Sequence, residues 1–180
     1  MSWLFRRRRR QKIYPMMTSA IAYALMLLSG ATAAAETAGL PRVAFFGFQL
    51  INTSLEPTTL IEAGRVKMLD DLFQEKLGHS GRFKIVPIPP DVQQQIAAGP
   101  EISGCNGCER DYARSIGANC AAWGTVQKVS NLILNINVYM EDAASGKLEF
   151  VKSVDIRGNT DESWRHGLDY MLRHYLFEEP

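Results

Sequence analysis

The stretch Leu132 to Met140 alternates strictly. Leu132, Leu134, Ile136, Val138 and Met140 take one side, and Asn135, Asn137 and Tyr139 take the other. Side chains of a strand point alternately to its two faces, so this pattern dictates a half-buried antiparallel strand with one wet face. Wound as a helix, the same residues would spread their apolar members around the whole cylinder. Ala143-Ala144-Ser145-Gly146 then reads as a hairpin loop, and Leu148 to Arg157 as the partner strand, with Leu148, Phe150, Val154 and Ile156 in phase.

The sequence before this hairpin has a different rhythm. Arg42 to Phe48 (RVAFFGF) is apolar on both faces, as in a strand covered on both sides. Gln49 to Thr59 reads as a loop, and Thr59 with Glu62 forms a capping box that starts a helix. Ile61, Ala63, Val66, Leu69, Leu72, Phe73 and Leu77 repeat at helical spacing, with Gly78 as the stop. Arg82 to Pro87 is a second strand, ended by Pro87, Pro89 and Pro90. Asp91 caps a short helix to Ala98, and Glu101 to Cys108 is a turn-rich loop. Glu109 to Ile116 is another short helix, and Cys120 to Val129 a third strand with Gly124 inside it. After the hairpin, Trp164, Leu168, Met171 and Tyr175 set one buried stripe on a last helix.

The expected order is β-α-β-α-α-β-β-β-α. Helical crossovers come first and a strand meander follows, so the fold class is α/β: a single mixed-sheet domain of five strands, parallel in its first half and antiparallel in its second.

Charge divides the chain in two. Residues 1–35 hold six Lys and Arg (Arg6 to Arg10 and Lys12) and no acid. Taking these from the 20 Lys and Arg of the chain leaves 14 against 19 Asp and Glu, a net −5 for residues 36–180. An acidic body does not displace the counterions of a nucleic acid, so no nucleic-acid partner is expected. The basic start, the apolar run Met16 to Gly30 and the small residues Ala31 to Ala35 have the order of a secretory signal. Ala33 and Ala35 occupy the small-residue positions, placing cleavage before Glu36. Residues 1–35 are thus expected to be a signal peptide and 36–180 one exported domain without stable membrane insertion. Arg9-Arg10-Gln11-Lys12 lacks the apolar pair of a twin-arginine signal, so the Sec route ranks first. No cysteine precedes Cys105, so lipid attachment at this leader is not expected.

Three cysteines remain: Cys105, Cys108 and Cys120. An oxidising compartment favours a disulfide. Cys105–Cys108 is the expected pair, with Cys120 buried on its strand; Cys108–Cys120 is the rival. The chain-entropy stabilisation is about 2 kcal/mol for the first ring and about 3 for the second. A thiol–disulfide redox protein using Cys105 and Cys108 is the alternative function, since Cys108 stands at a helix start where a thiolate is stabilised. The long loop before the pair departs from a thioredoxin-like arrangement. Position 109 is Glu, which excludes covalent haem. A zinc site lacks a second CxxC or a His pair, and His79, His166 and His174 are scattered. No nucleophile elbow, phosphate loop or zinc-protease motif occurs, so no catalysis, metal or cofactor is expected. The wet face Asn135, Asn137 and Tyr139, with Lys128 and Asn131 beside it, is the candidate partner surface.

Several segments carry a resemblance in order: the strand ending Phe45-Phe46-Gly47-Phe48, Ser80 to Val86 (SGRFKIV), Ile116-Gly117-Ala118-Asn119 before the strand with Gly124, and Asp142 to Gly146. Together they resemble the α/β domain at the N-terminus of periplasmic TolB. Similar domains occur in the curli secretion channel protein and in outer-membrane activators of peptidoglycan synthases. The strings Lys128 to Leu134 (KVSNLIL) and Gly158 to Trp164 (GNTDESW) look like those of uncharacterised exported proteobacterial proteins. The resemblance implies a periplasmic, non-catalytic interaction module with a protein partner in the cell envelope. It would serve an envelope assembly or a periplasmic dehydrogenase system.

Overall fold

The computed structural model describes residues 39–178. The expected cleavage site at Ala33, Ala35 and Glu36 lies outside them. In chain order the elements are β1 (Arg42–Asn52), α1 (Leu60–His79), β2 (Lys84–Ile85), α2 (Pro90–Ala98) and a 3-10 turn (Ile102–Gly104). Then follow α3 (Cys108–Ser115), β3 (Cys120–Lys128), β4 (Ile133–Asp142), β5 (Leu148–Arg157), α4 (Asp161–Met171) and a π turn (Leu172–Leu176). The strands make one five-stranded mixed sheet in the order β2-β1-β3-β4-β5. β1 lies parallel to both β2 and β3, and β3, β4 and β5 form an antiparallel meander. The expected α/β class and element order hold.

Helices α1 and α4 cover one face. Val43, Phe45 and Phe48 of β1 and the alternating set Leu134, Ile136, Val138 and Met140 of β4 pack there against Leu69, Phe73, Leu77, Trp164, Leu168 and Met171. The other face is partly covered by α3, through a cluster of small residues: Ala44, Ala113, Ala118, Ala121 and Ala143. Small side chains let a short helix sit close to the sheet; beyond its reach this face is wet.

β1 carries an irregularity that decides both faces. Phe45 pairs with Ala122 but Phe48 pairs with Gly124, so Phe46 and Gly47 together oppose one residue. The extra residue is a β-bulge, and Gly47 takes φ +85° there. It returns Phe48 to the same face as Phe45, where the ring edge meets Phe73. The Phe48 ring lies directly over Gly124, where a Cβ would overlap it.

The structure corrects several expected boundaries. β1 runs on to Asn52 through residues expected as loop, because its pairing with β3 continues to Lys128. α1 passes Gly78 and ends at His79, with Ser80 as the cap. β2 pairs over only two residues before Pro87 removes a donor. Pro89, not Asp91, is the N-cap of α2; with Pro90 at the first helical position no side-chain cap forms. Leu132 lies outside β4 and is exposed, and Tyr175 lies in the π turn, off the buried stripe.

Candidate functional site

Three loops meet at the end of the sheet where β1 and β3 finish: residues 53–59, 129–132 and 158–160. The two strings KVSNLIL and GNTDESW supply two of them, and the capping box of α1 joins the third. Thr59 Oγ1 accepts from Glu62 N–H, while the Glu62 carboxylate accepts from Thr59 N–H at 2.7 Å. The same carboxylate reaches inward to Lys128, whose Nζ lies 2.7 Å from Glu62 Oε1. Both residues are almost wholly buried, each 1% exposed.

Further polar groups complete the shell. Asn159 Nδ2 donates to Glu62 Oε1 at 2.6 Å and to Asn131 Oδ1 at 3.0 Å. Asn159 Oδ1 accepts from Trp164 Nε1 and from Arg65 Nη1, both at 3.0 Å. Arg65 Nε pairs with Asp161 Oδ1 at 2.7 Å. Glu56 binds Asn131 Nδ2 and lies 3.5 Å from Lys128 Nζ, tying the first loop to the second. Burial pushes the Glu62 carboxyl up, but the bonds from Lys128, Thr59 and Asn159 outweigh it and bring it down to about 2. The Lys128 ammonium is raised, chiefly by its bond to Glu62 and against its own desolvation. Buried charges persist when paired and fully hydrogen-bonded, as here.

This rigid frame carries exposed apolar side chains. Leu55 is fully exposed, Leu60 and Ile61 open α1, and Val129, Leu132 and Ile133 surround the β3–β4 turn. Singly exposed apolar residues are ordinary; these six, three on the loops, two at the start of α1 and one at the start of β4, with two of the loops joined by Glu56, form an apolar rim.

The expected partner surface divides. Lys128 is buried in the ion pair and leaves it, and Asn131 is engaged by Glu56 and Asn159. Asn135, Asn137 and Tyr139 do share the open sheet face, where Asn137 Nδ2 donates to Asn135 Oδ1 and Thr125 Oγ1, and Asn135 Nδ2 to Ser153 Oγ. Tyr139 is stacked on Trp123 with ring centroids 5.2 Å apart. Their polar groups largely satisfy one another. Glu62, Arg65 and Asn159 were missed as members of the loop-end network. The capping box showed Glu62 as a cap, but its second partner comes from residue 128, out of reach of any local pattern.

At the start of α3, Cys105 and Cys108 are joined by a disulfide, and Cys120 is a buried free thiol. Gly107, between the pair, takes φ +117° as the N-cap of α3. Glu109 and Glu141 are both buried beside it. Arg110 Nε lies 3.4 Å from Glu141 Oε1 and 4.0 Å from Glu109 Oε1. Burial, then the neighbouring Glu109, drive the Glu141 carboxyl upward; Arg110 opposes them. Glu109, with its carboxyl oxygen 3.0 Å from Cys105 Sγ, opposes formation of a thiolate there, which weighs against the redox alternative. Cys105, Cys108 and Glu109 are close enough to share a metal ion, but the two sulfurs are bonded to each other. The histidines are not brought together: His79 ends α1, His166 lies in α4 and His174 pairs with Glu178 at 3.2 Å.

A groove of about 620 Å³ runs along β1 beyond β2. Phe45, Phe46, Ile85 and Ile96 line it, with Asp70 as its acid. Asp70 Oδ1 accepts from Phe48 N–H at 2.7 Å, replacing a strand partner at the bulge. Burial pushes the Asp70 carboxyl up to about 6 against that bond.

Residues 41–176 match the DUF3280 family, described as "Protein of unknown function (DUF2380)". The chain belongs to this family. No curated protein matches it. Among solved structures, lipoprotein GNA1162 from Neisseria meningitidis is similar at TM-score 0.50 and 13% identity, over 75% of this chain and 92% of that one. The LpoB C-terminal domain from Salmonella enterica is similar at TM-score 0.49 and 15% identity, over 69% and 87%. TolB from Acinetobacter baumannii matches at TM-score 0.40 and 10% identity, over 76% of this chain and 29% of that one. The DUF3280 chain therefore shares its α/β fold with lipoprotein GNA1162. Among the described residues no helix is long and apolar enough to cross a membrane.

Proposed function

We propose that this DUF3280 protein is an exported, non-catalytic adaptor of the bacterial cell envelope that holds a protein partner at its loop end. The observation that carries the reading is the apolar rim, Leu55, Leu60, Ile61, Leu132 and Ile133, on the loops and the first residues of α1 and β4 around the buried Glu62–Lys128 pair. A rigid frame lowers the entropic cost of binding, and exposed leucines on it supply apolar area to a partner. The basic leader, with cleavage before Glu36, delivers the domain to the periplasm by the Sec route. There the Cys105–Cys108 bond forms as a staple on the loop before α3. That the Neisseria meningitidis protein of like fold is a lipoprotein supports an envelope location.

The test is photo-crosslinking in cells from positions 55 and 132, with position 95 in α2, beside β2 and the middle of β1, as the control. A single protein captured from 55 and 132, absent at 95 and lost in Leu132→Asp, is the expected result. Capture from all three positions alike, or from none, overturns the docking end. N-terminal sequencing of the periplasmic fraction tests export separately; a chain beginning at Glu36 is expected.

A further inference from the structure

β5 is the last strand of the sheet, and among the described residues no strand lies beyond it. Natural edge strands are usually short, bulged or interrupted by proline. β5 spans Leu148–Arg157, contains no proline, and is mostly exposed along its length. Its one register shift against β4 falls at the Leu148–Phe150 end and leaves the centre regular. Gly158 N–H donates to Leu132 C=O on the β4 side. By the two-residue alternation of an antiparallel ladder, Ile156, Val154 and Lys152 turn their backbone groups to β4, while Arg157, Asp155, Ser153 and Val151 turn theirs outward.

We propose that this edge pairs antiparallel with β5 of a second copy of the chain, with the two-fold axis at Ser153, making one ten-stranded sheet. Charge selects the register. With Ser153 opposite itself, Val151 faces Asp155, Phe150 faces Ile156 and Lys152 faces Val154, while Glu149, the extra residue of the register shift, lies at the end of the ladder near Arg157 of the other copy. No like charges meet. Moving the axis to Lys152 sets that lysine against itself, which is destabilising in directly opposed strand positions. Axes at Val151 or Val154 shorten the pairing and leave no opposite-charge pair.

The neighbouring helix supports the same occupant. An axis perpendicular to the sheet brings the α4 ends of both copies to one side of the joint. Tyr170 and Tyr175, 39% and 44% exposed, stand on that side. Tyr175 is already covered by the Lys152 ammonium, 4.8 Å from its ring centroid. Two such aromatic groups meeting across the axis add apolar contact to the backbone ladder. The joint uses neither the apolar rim nor the disulfide, so it stands independently of the adaptor reading.

Sedimentation and oxidative cross-linking test the proposal on the purified protein. The expected mass in solution is twice that of the chain. Ser153→Cys forms a disulfide-linked dimer on mild oxidation, because residues on the axis face each other at about 5.5 Å between Cα atoms. Val151→Cys and Asp155→Cys each fail alone but cross-link when mixed, reporting the register. Glu149→Arg weakens the dimer by about tenfold or more, and adding Arg157→Glu restores it. A monomer at high concentration, equal cross-linking from all three single positions, or no rescue by the charge swap overturns the proposal.

Discussion

Lys128 Nζ and Glu62 Oε1 meet at 2.7 Å beneath the loop end, with both side chains withdrawn from water. Removing one member strands the other without its partner. Glu62→Gln is expected to lower the melting temperature by on the order of 10 °C, while the double change Glu62→Leu with Lys128→Met recovers most of the loss. Thermal unfolding by circular dichroism reads both. If the single and double variants melt together, the pair is not the element that holds the loops.

The same carboxyl sets an acid limit. Glu62 lies at about 2 in the folded chain against 4.5 as its ordinary value. A carboxyl lowered by folding contributes stability that is present above its unfolded value and lost as pH falls through its folded one. Stability is therefore expected to drop between about pH 4.5 and 2, and Glu62→Gln to flatten that limb. Urea midpoints across the range test it.

Asp70 acts in the opposite sense. Its carboxyl rises from 3.8 to about 6 because burial beside the Phe48 N–H outweighs the bond it accepts. The folded chain holds a proton that the unfolded chain has released, so stability falls as pH rises from about 4 to 6. The Glu141 carboxyl, raised beside Glu109, adds to this slope. Asp70→Asn keeps an acceptor for Phe48 N–H and is expected to reduce the slope, measured by denaturant titration at pH 4, 5, 6 and 7.

The fold was legible where the pattern is local. Alternation in 132–140 placed β4 and its core face, and Thr59 with Glu62 marked the start of α1. Long-range events were not legible. The β1 bulge, which puts Phe45 and Phe48 on one face, depends on pairing with Ala122 and Gly124. Lys128 read as a surface charge because nothing near it in sequence shows a carboxylate from residue 62 arriving below it. Asn135, Asn137 and Tyr139 were placed on a wet face, and their mutual bonds emerge only once β3, β4 and β5 are side by side. The strings around Asn131 and Asn159 were noticed as strings; their meeting at 3.0 Å is a product of the fold.

Thiol chemistry separates the staple from the core cysteine. Burial raises the Cys120 thiol to about 12, with Glu149 and Asp142 adding to the shift. The folded protein is expected to give no reaction with a thiol reagent, and the unfolded, unreduced chain one equivalent per chain. Reduction before unfolding raises the count to three and lowers stability by about 2 kcal/mol. Three equivalents without reductant would show that Cys105 and Cys108 are unpaired.

Gly124 tests the packing that joins the bulge to the core. A Cβ there falls on the Phe48 ring, which is itself held edge-on against Phe73 and Phe45. Gly124→Ala therefore displaces Phe48 or opens β1 from β3, and is expected to cost about 1–3 kcal/mol, the range of an overpacked core. Phe48→Leu in the same chain makes room for the new methyl and recovers part of that loss, whereas Phe48→Leu alone leaves a gap and destabilises. The two changes share one contact, so their effects are expected to be non-additive in a double-mutant cycle read from urea midpoints. Strict additivity would mean that glycine at 124 serves β3 for some reason other than the ring above it.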